Sequence, residues 1–254
     1  MGSWKAVPGV CFVGMTTRLT VLAANALLGV VLCLPAAAAG VDSDDFTVYV
    51  SVASDYVFRG YSQTREDPAI QLGLDFEHES GLFAGLWVSN VDFPPAGPFE
   101  DRRELEVNIY AGYGVELGRE WALSGTLVRY EYPGDEGAID WDYSEFGLAL
   151  RHGGAVLSVA YSDSALGSGD AGVAVELTER WPLPRNLELA AGVGFFDLDS
   201  PFLRDYYYWN VGLSRPFRRF TLTLGYFDTD GSGEYNWGEF AEPRLVASVT
   251  YRVH

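Results

Sequence analysis

The chain has 254 residues, of which 48% are hydrophobic, 15% aromatic and 20% charged. So many aromatic residues exclude a disordered chain, and the length suits one large domain or one closed barrel. The formal net charge of −18 argues against a nucleic acid as partner, because such a partner requires a basic surface.

The first forty residues differ in composition from the rest. A basic residue, Arg18, precedes the apolar run 19–34, and the small-residue tract 35–40 follows it. This order is typical of a secretory signal peptide and predicts that residues 1–40 are removed, which leaves 41–254 as the mature domain. The start codon is either Met1 or Met15, and Met15 gives the more typical signal.

The predicted mature chain has no cysteine and is strongly acidic. Cys11 and Cys33 both lie in the signal segment, so no disulfide is expected after export. Without Lys5 and Arg18 the chain keeps 15 basic and 35 acidic residues, a net charge of −20.

From residue 41 onward, apolar and polar residues alternate in segments of strand length. In the segment 103–117, for example, seven apolar residues alternate with seven polar or small ones. Such a period of two puts apolar side chains on one face of a strand and polar side chains on the other. The pattern predicts twelve strands, at 46–59, 69–78, 82–91, 103–117, 121–132, 141–151, 155–161, 172–179, 187–196, 206–214, 220–227 and 244–253.

The predicted connections alternate between long and short. The connections after odd-numbered strands are long and polar, and those after even-numbered strands are shorter, down to the tight turns at 79–81, 118–120 and 152–154. Aromatic residues also gather at the strand ends. An even number of strands, with long loops on one rim and short turns on the other, is typical of bacterial outer-membrane proteins. We therefore predict an all-β fold, a transmembrane antiparallel up-and-down β-barrel of about twelve strands. The alternative is a soluble sandwich or a lipocalin-like barrel, whose loops need not sort by length.

The segment 54–93 carries a family resemblance. It contains S-D-Y-x-F-R-G-x-S-Q at 54–63, then H-x-S-G at 78–81 and S-N-V-D at 89–92. In these motifs it resembles the TorF-type porin family, earlier catalogued as conserved hypothetical outer-membrane proteins. The resemblance implies an outer-membrane barrel with a porin role and brings no catalytic residues with it.

The polar faces of the predicted strands supply the candidates for a pore lining. Acidic residues exceed basic ones there by nine to four, which favours a channel that concentrates cations. The alternative is that these charges pair with one another and fill a narrow interior. The candidates are Asp55, Arg59, Asp75, Glu77, Glu104, Glu106, Glu116, Glu145, Arg151, Glu176, Glu188, Arg244 and Arg252.

These patterns predict a passive channel for small hydrophilic solutes in the outer membrane of a Gram-negative bacterium. A structural or ligand-binding barrel without an open pore is the alternative. The expected partners are outer-membrane lipids, the solutes and the outer-membrane assembly machinery. The chain ends with an alternation through Tyr251 and Val253 that is shifted by one residue from the aromatic end common in such proteins, so recognition by that machinery is expected to be weaker.

No enzyme is expected. His78 and His152 lie at predicted short turns and His254 is the last residue, so no histidine is placed on the outer rim beside a nucleophile.

The last long connection matches the spacing of a calcium-binding loop, and apart from calcium no cofactor is expected. Asp228, Asp230, Ser232, Glu234 and Glu239 fall at positions one, three, five, seven and twelve of that loop, with a glycine at position six. The flanks are predicted strands rather than the helices that such loops join, so an acidic, solvated loop is the alternative.

Overall fold

The computed structural model describes residues 45–93, 102–134 and 141–253. The predicted signal peptide lies outside the described residues, so the structure gives no information on it. The described residues form β-strands, one short α-helix and a few 3₁₀ turns.

Twelve long strands and two very short ones follow one another along the described chain. Helix α1 (Gly231–Trp237) lies in the last long connection, and 3₁₀ turns lie at Ala165–Gly167, Pro184–Asn186 and Gly238–Ala241. The strands are β1 (Phe46–Ala53), β2 (Val57–Phe58), β3 (Tyr61–Ser62), β4 (Ala69–Glu77), β5 (Leu82–Phe93), β6 (Arg103–Glu116), β7 (Trp121–Glu131), β8 (Tyr143–His152), β9 (Ala155–Ser162), β10 (Gly172–Leu183), β11 (Leu187–Leu198), β12 (Tyr206–Phe217), β13 (Phe220–Thr229) and β14 (Arg244–Val253).

The twelve long strands form one closed antiparallel barrel. Each strand from β4 to β14 pairs with the next, and β1 pairs with both β14 and β4, which closes the barrel. The seam between β1 and β14 continues past the end of β1, since Ser54 N donates to Ala247 O at 2.9 Å. The fold class predicted from the sequence is confirmed.

Side-chain exposure alternates along the strands as the sequence predicts. Large apolar side chains point outward, for example Ile70 (60% exposed), Leu127 (60%) and Leu245 (67%). Their neighbours in sequence point inward and are mostly buried. The outside of the barrel is therefore apolar, although none of the described residues covers it.

The two ends of the barrel differ. The connections β4–β5, β6–β7, β8–β9, β10–β11 and β12–β13 have two to four residues, and we call this rim the short-turn end. The other connections between the twelve long strands have seven to fifteen residues and form the long-loop end; the longest of them, between β1 and β4, contains the short strands β2 and β3. This separation matches the predicted alternation of loop lengths.

Several strand ends and one connection differ from the local predictions. The first strand ends at Ala53 rather than at residue 59, because the chain then turns into the barrel. Strand β10 continues to Leu183 instead of ending at residue 179. The connection between β13 and β14 contains helix α1.

The buried core lies inside the barrel. Its aromatic members include Tyr49 and Trp87 from the wall. Several inward tyrosines lie across a glycine that is their direct cross-strand partner: Tyr49 covers Gly73, and Tyr110 covers Gly85. A Cβ on Gly73 would lie 2.1 Å from the Tyr49 ring, so these rings fit only because the partner has no side chain.

Candidate functional site

The first long connection, residues 54–68, folds into the barrel at the long-loop end, and we call it the inward hairpin. Its two short strands, β2 and β3, pair through Val57–Ser62 and Phe58–Tyr61. The side chains of Tyr56, Val57, Phe58 and Tyr61 are all buried. The S-D-Y-x-F-R-G-x-S-Q motif therefore fills the interior of the barrel rather than extending a strand of its wall.

The tip of the hairpin is a two-residue turn made by Arg59 and Gly60. Both have positive φ, 45° and 90°, as the tightest hairpin turns require. A Cβ on Gly60 would lie 2.4 Å from Thr229 Cγ2 and 2.8 Å from Tyr208 Cβ. Only glycine satisfies both the turn and this close approach to the wall.

Arg59 joins the tip to the opposite wall. Its two terminal nitrogens donate to the two carboxylate oxygens of Glu145 at 2.7 and 2.9 Å. Both side chains are less than a tenth exposed, and the guanidinium lies 4.4 Å from the centre of the Phe196 ring. Such an ion pair can be buried because its two hydrogen bonds and opposite charges offset the cost of removing both groups from water.

Asp55 fixes the base of the hairpin. Its carboxylate accepts from Ser62 Oγ at 2.6 Å, from Thr64 Oγ1 at 2.8 Å and from Arg244 Nη1 on β14 at 3.0 Å. On the other side, Asp92 N in β5 donates to Gln63 O at 2.8 Å. The hairpin is thus bonded to the wall on both flanks.

Tyrosine hydroxyls complete this network. Tyr56 donates to Glu106 at 3.3 Å, and Tyr130 donates to Glu145 at 3.2 Å. Burial raises the pKa of the Tyr56 phenol well above its ordinary value, with the Glu106 carboxylate adding to the effect, and burial raises the pKa of Tyr61 to about 12. Both hairpin phenols therefore stay protonated at physiological pH.

Helix α1 covers the hairpin from the long-loop side. Trp237, at the end of the helix, stacks on Tyr61 with ring centres 4.2 Å apart and ring planes 10° apart. Arg65 lies over the Phe240 ring at 4.9 Å. The hairpin is therefore held between the barrel wall and the last long connection.

Below the hairpin, toward the short-turn end, charged side chains line the wall in pairs. Glu116 accepts from Arg151 at 3.3 Å, and Glu188 accepts from Arg180 at 2.9 Å. Asp75 accepts a hydrogen bond from the Tyr110 hydroxyl. The interior thus has a packed half near the long loops and a more polar half near the short turns.

The structure brings most of the predicted pore-lining residues into the interior. Asp55, Arg59, Glu106, Glu145 and Arg244 belong to the hairpin and the wall around it. Seven others take inward positions on their strands, and Glu104 is exposed at the start of β6, beside a register shift. The seven are Asp75, Glu77, Glu116, Arg151, Glu176, Glu188 and Arg252.

Sequence reasoning missed two inward cations and the aromatic filling. Arg180 was left outside the eighth predicted strand, and Arg103 is buried at the start of β6. The described interior therefore holds eight acidic and six basic residues, a smaller acidic excess than predicted. A signal for the hairpin was present, since Arg59-Gly60 lies between Val57-Phe58 and Tyr61-Ser62, and a glycine in a two-residue connection is typical of tight hairpins.

The calcium-loop residues adopt a different local structure. Asp230 caps helix α1, accepting from Ser232 N at 3.0 Å and Gly233 N at 3.1 Å, and Asp228 accepts from Tyr226 and from Thr229 N. Among the described residues, no three His, Cys, Asp or Glu side chains are grouped so that they could hold a metal ion. Calcium binding at Asp228, Asp230, Ser232, Glu234 and Glu239 stays a prediction, and it requires α1 to rearrange. Titrating calcium against tryptophan fluorescence, with Asp228→Ala as the comparison, measures it.

Two further observations concern helices and histidines. Among the described residues, none of the helices combines the length and apolar character that a membrane-spanning helix needs.

Both described histidines lie at the short-turn end. His78 contacts Ser80 at 2.8 Å, and His152 contacts Glu120 at 3.2 Å.

Comparison with known proteins identifies the family. A family model described as "Bacterial protein of unknown function (Gcw_chp)" matches residues 37–250. The chain belongs to the Gcw_chp family. No curated protein matches this Gcw_chp chain.

Several solved structures share the fold of this Gcw_chp protein. The KdgM porin has a TM-score of 0.54 at 9% identity, over 82% of this chain and 99% of that chain, and KdgM in complex with disordered oligogalacturonate gives 0.52 at 10% over the same shares. An outer membrane channel from Pseudomonas putida F1 has a TM-score of 0.53 at 12% identity, and the match covers 82% of this chain and 94% of that chain. At such identities the likeness shows the fold alone. All three are described as porins or channels and none as an enzyme.

Proposed function

We propose that this protein is a porin-like channel of the Gram-negative outer membrane, through which small hydrophilic solutes diffuse, with a preference for cations. The observation that carries the proposal is the inverted exposure of the barrel: apolar side chains are exposed outside and charged ones lie inside. This arrangement suits lipid around the wall and water within it. The porins and channels of similar fold support the same role, as does the resemblance to TorF-type porins.

The proposal includes an orientation. Outer-membrane barrels have short turns in the periplasm and longer loops outside the cell. The short-turn end then faces the periplasm, and the inward hairpin narrows the extracellular half of the lumen. Because the hairpin lies inside the barrel and is bonded to its wall, we expect the remaining passage to be narrow and to admit only small solutes.

Cation preference follows from the charges of the interior. Among the described residues, eight acidic and six basic side chains lie inside the barrel. The acidic residues are Asp55, Asp75, Glu77, Glu106, Glu116, Glu145, Glu176 and Glu188, and the basic residues are Arg59, Arg103, Arg151, Arg180, Arg244 and Arg252. Carboxylates in a narrow lumen raise the local concentration of cations. Since several acids are paired with arginines, the expected preference is modest.

Planar-bilayer conductance of the purified protein tests the proposal. We expect stable conductance steps and a cation-selective reversal potential in a salt gradient. The triple variant Glu77→Gln/Glu116→Gln/Glu188→Gln removes three carboxylates near the short-turn end and is expected to abolish or invert the selectivity. A matched control, Glu79→Gln/Glu120→Gln/Glu234→Gln, removes three exposed carboxylates outside the lumen and should keep it. Anion selectivity of the wild type would refute the preference.

A barrel without an open pore is the second candidate, and the fixed inward hairpin favours it. Arg59→Ala removes the ion pair with Glu145 and should loosen the hairpin. For a narrow channel we expect a small wild-type conductance that increases in the variant. If neither protein conducts while both are folded, the channel proposal fails and the closed barrel replaces it.

A further inference from the structure

Arginines are distributed unevenly between the two ends of the barrel. At the long-loop end Arg204 lies over the Tyr235 ring, and most other arginines contact carboxylates. Arg102 lies 2.6 Å from Asp92, and Arg129 lies 3.2 Å from Asp142. Arg244 likewise contacts Asp55 at 3.0 Å. These arginines serve the internal structure of an acidic rim.

At the short-turn end, four exposed arginines form a different group. They are Arg185 in the turn between β10 and β11, Arg215 near the end of β12, and Arg218 and Arg219 in the turn between β12 and β13. Within the described parts of the chain, none of the four makes an ion pair of 4 Å or less. We call these four residues the arginine patch.

The sheet brings the members of the patch together. Strand β11 pairs with β12 through Leu189–Leu213 and Glu188–Ser214, so the two turns are next to each other on the rim. Neighbouring strands are about 4.8 Å apart, which puts the centres of the two turns about 10 Å apart. Glu188 is the acidic residue of these two strand ends, and it is bonded to Arg180 inside the barrel.

The patch borders the apolar outer surface. On β12 the outward positions run through Leu213, Arg215 and Phe217, and Phe217 is 62% exposed. Trp181 and Phe220 are also exposed on the adjoining strands. Aromatic residues at this level mark the interface between lipid chains and headgroups. A charge on the lipid-facing side at this depth is stabilised when its side chain reaches the headgroups.

Two of the arginines occupy backbone positions that side chains rarely adopt. Arg185 has a φ of 65° and Arg218 a φ of 57°, in the left-handed region that favours glycine or asparagine. The chain keeps a long cationic side chain at both positions. Backbone geometry alone therefore does not explain the choice of residue.

We propose that the arginine patch binds the phosphodiester headgroups of anionic phospholipids in the periplasmic leaflet. Guanidinium groups bind phosphate oxygens in bidentate geometry, and the aromatic residues beside them pack against the start of the acyl chains. The inference rests on the proposed membrane location and orientation. Although the protein as a whole is acidic, the arginine patch would then attract anionic lipid in the periplasmic leaflet only.

Lipid selectivity tests this proposal. The full mature protein is reconstituted in phosphatidylcholine vesicles, and the association of spin-labelled phosphatidylglycerol is compared with that of spin-labelled phosphatidylcholine by electron paramagnetic resonance. We expect a preference for phosphatidylglycerol of about fivefold, the size of effect that one arginine near a charged surface gives. High salt should reduce it, because the interaction is between charges at a surface.

The variant Arg185→Gln/Arg215→Gln/Arg218→Gln/Arg219→Gln should lose this preference. The matched control Arg65→Gln/Arg102→Gln/Arg129→Gln/Arg204→Gln removes the same charge at the long-loop end and should keep it. If the patch variant does not fold, the salt dependence of the wild type decides: a preference unchanged by salt overturns the proposal.

Several other outcomes would overturn the assignment of the arginine patch to anionic lipid. An unchanged preference in the patch variant overturns the lipid assignment, and so does complete competition by millimolar inorganic phosphate, which would identify a free-phosphate site. A wild-type protein that does not insert into phosphatidylcholine vesicles overturns the membrane location together with the patch. Insertion without selectivity overturns the patch alone and leaves the channel proposal standing.

Discussion

At the scale of single residues, the ion pair of Arg59 and Glu145 has the strongest local consequences. The two side chains are removed from water together, and each compensates the charge of the other. Removing one partner leaves a buried charge without its counter-ion, whereas removing both leaves an apolar contact.

We therefore predict strong coupling between these two positions. Arg59→Met and Glu145→Leu should each lower the free energy of unfolding by about 3–5 kcal/mol, and the double variant should recover most of that loss. Urea unfolding of the refolded barrel in vesicles measures it. Losses that simply add in the double variant would show that the pair is not coupled.

Gly60 gives a second prediction at this scale. Gly60→Ala places a Cβ against Thr229 and Tyr208 and requires an alanine to adopt a φ of 90°. We therefore expect the free energy of unfolding to fall by about 2 kcal/mol. Gly231→Ala is the matched control, because the space around that glycine is open. Equal unfolding midpoints for the two variants would contradict the fit described for Gly60.

At the scale of elements, the inward hairpin depends on helix α1, which belongs to the opposite end of the chain. The stack of Trp237 on Tyr61 joins the two elements, with ring centres 4.2 Å apart. Aromatic pairs of this kind contribute about 0.5–1.5 kcal/mol beyond their burial.

Trp237→Ala should therefore release the hairpin more often. We expect faster hydrogen exchange of the amides in residues 54–68, measured by mass spectrometry in vesicles. Trp121→Ala, which removes a ring packed at a tilt against His152 at the short-turn end, is the control and should leave hydrogen exchange in residues 54–68 unchanged. Equal exchange in all three proteins would show that α1 does not hold the hairpin.

The elements also show what the sequence could predict. Alternation specified the twelve long strands, most of their ends and the separation of long from short connections, because a barrel wall with an apolar outer face and a polar inner face imposes a period of two. It could not place residues 54–59, since the same alternation continues through Tyr56 and Phe58 whether the chain faces lipid or a packed interior. Helix α1 is too short for a helical period to register. Arg180 was missed because the outward position 179 is a glutamate, which interrupts the apolar alternation of β10 before Trp181 and Leu183 resume it.

At the scale of the whole molecule, the orientation in the membrane is the next point to establish. Phe202 is 82% exposed in a long connection, and Glu79 is exposed in a short turn. Residues 41–254 contain no cysteine, so in the predicted mature chain Phe202→Cys should react with an impermeant maleimide on intact cells and Glu79→Cys only after permeabilisation. Labelling of Glu79→Cys alone would invert the topology.

The seam between β1 and β14 also sets an order of events during assembly. Asp55, at the base of the hairpin, binds Arg244 on β14, and Ser54 bonds to Ala247 on the same strand. Strand β14 therefore completes both the wall and the anchorage of the hairpin, so a barrel whose seam is open holds the hairpin by one flank only. We expect the amides of Gln63 and Ala247 to become protected in the same kinetic phase when refolding is followed by pulsed hydrogen exchange. Sealing and filling are then a single step, and the barrel is never both closed and empty.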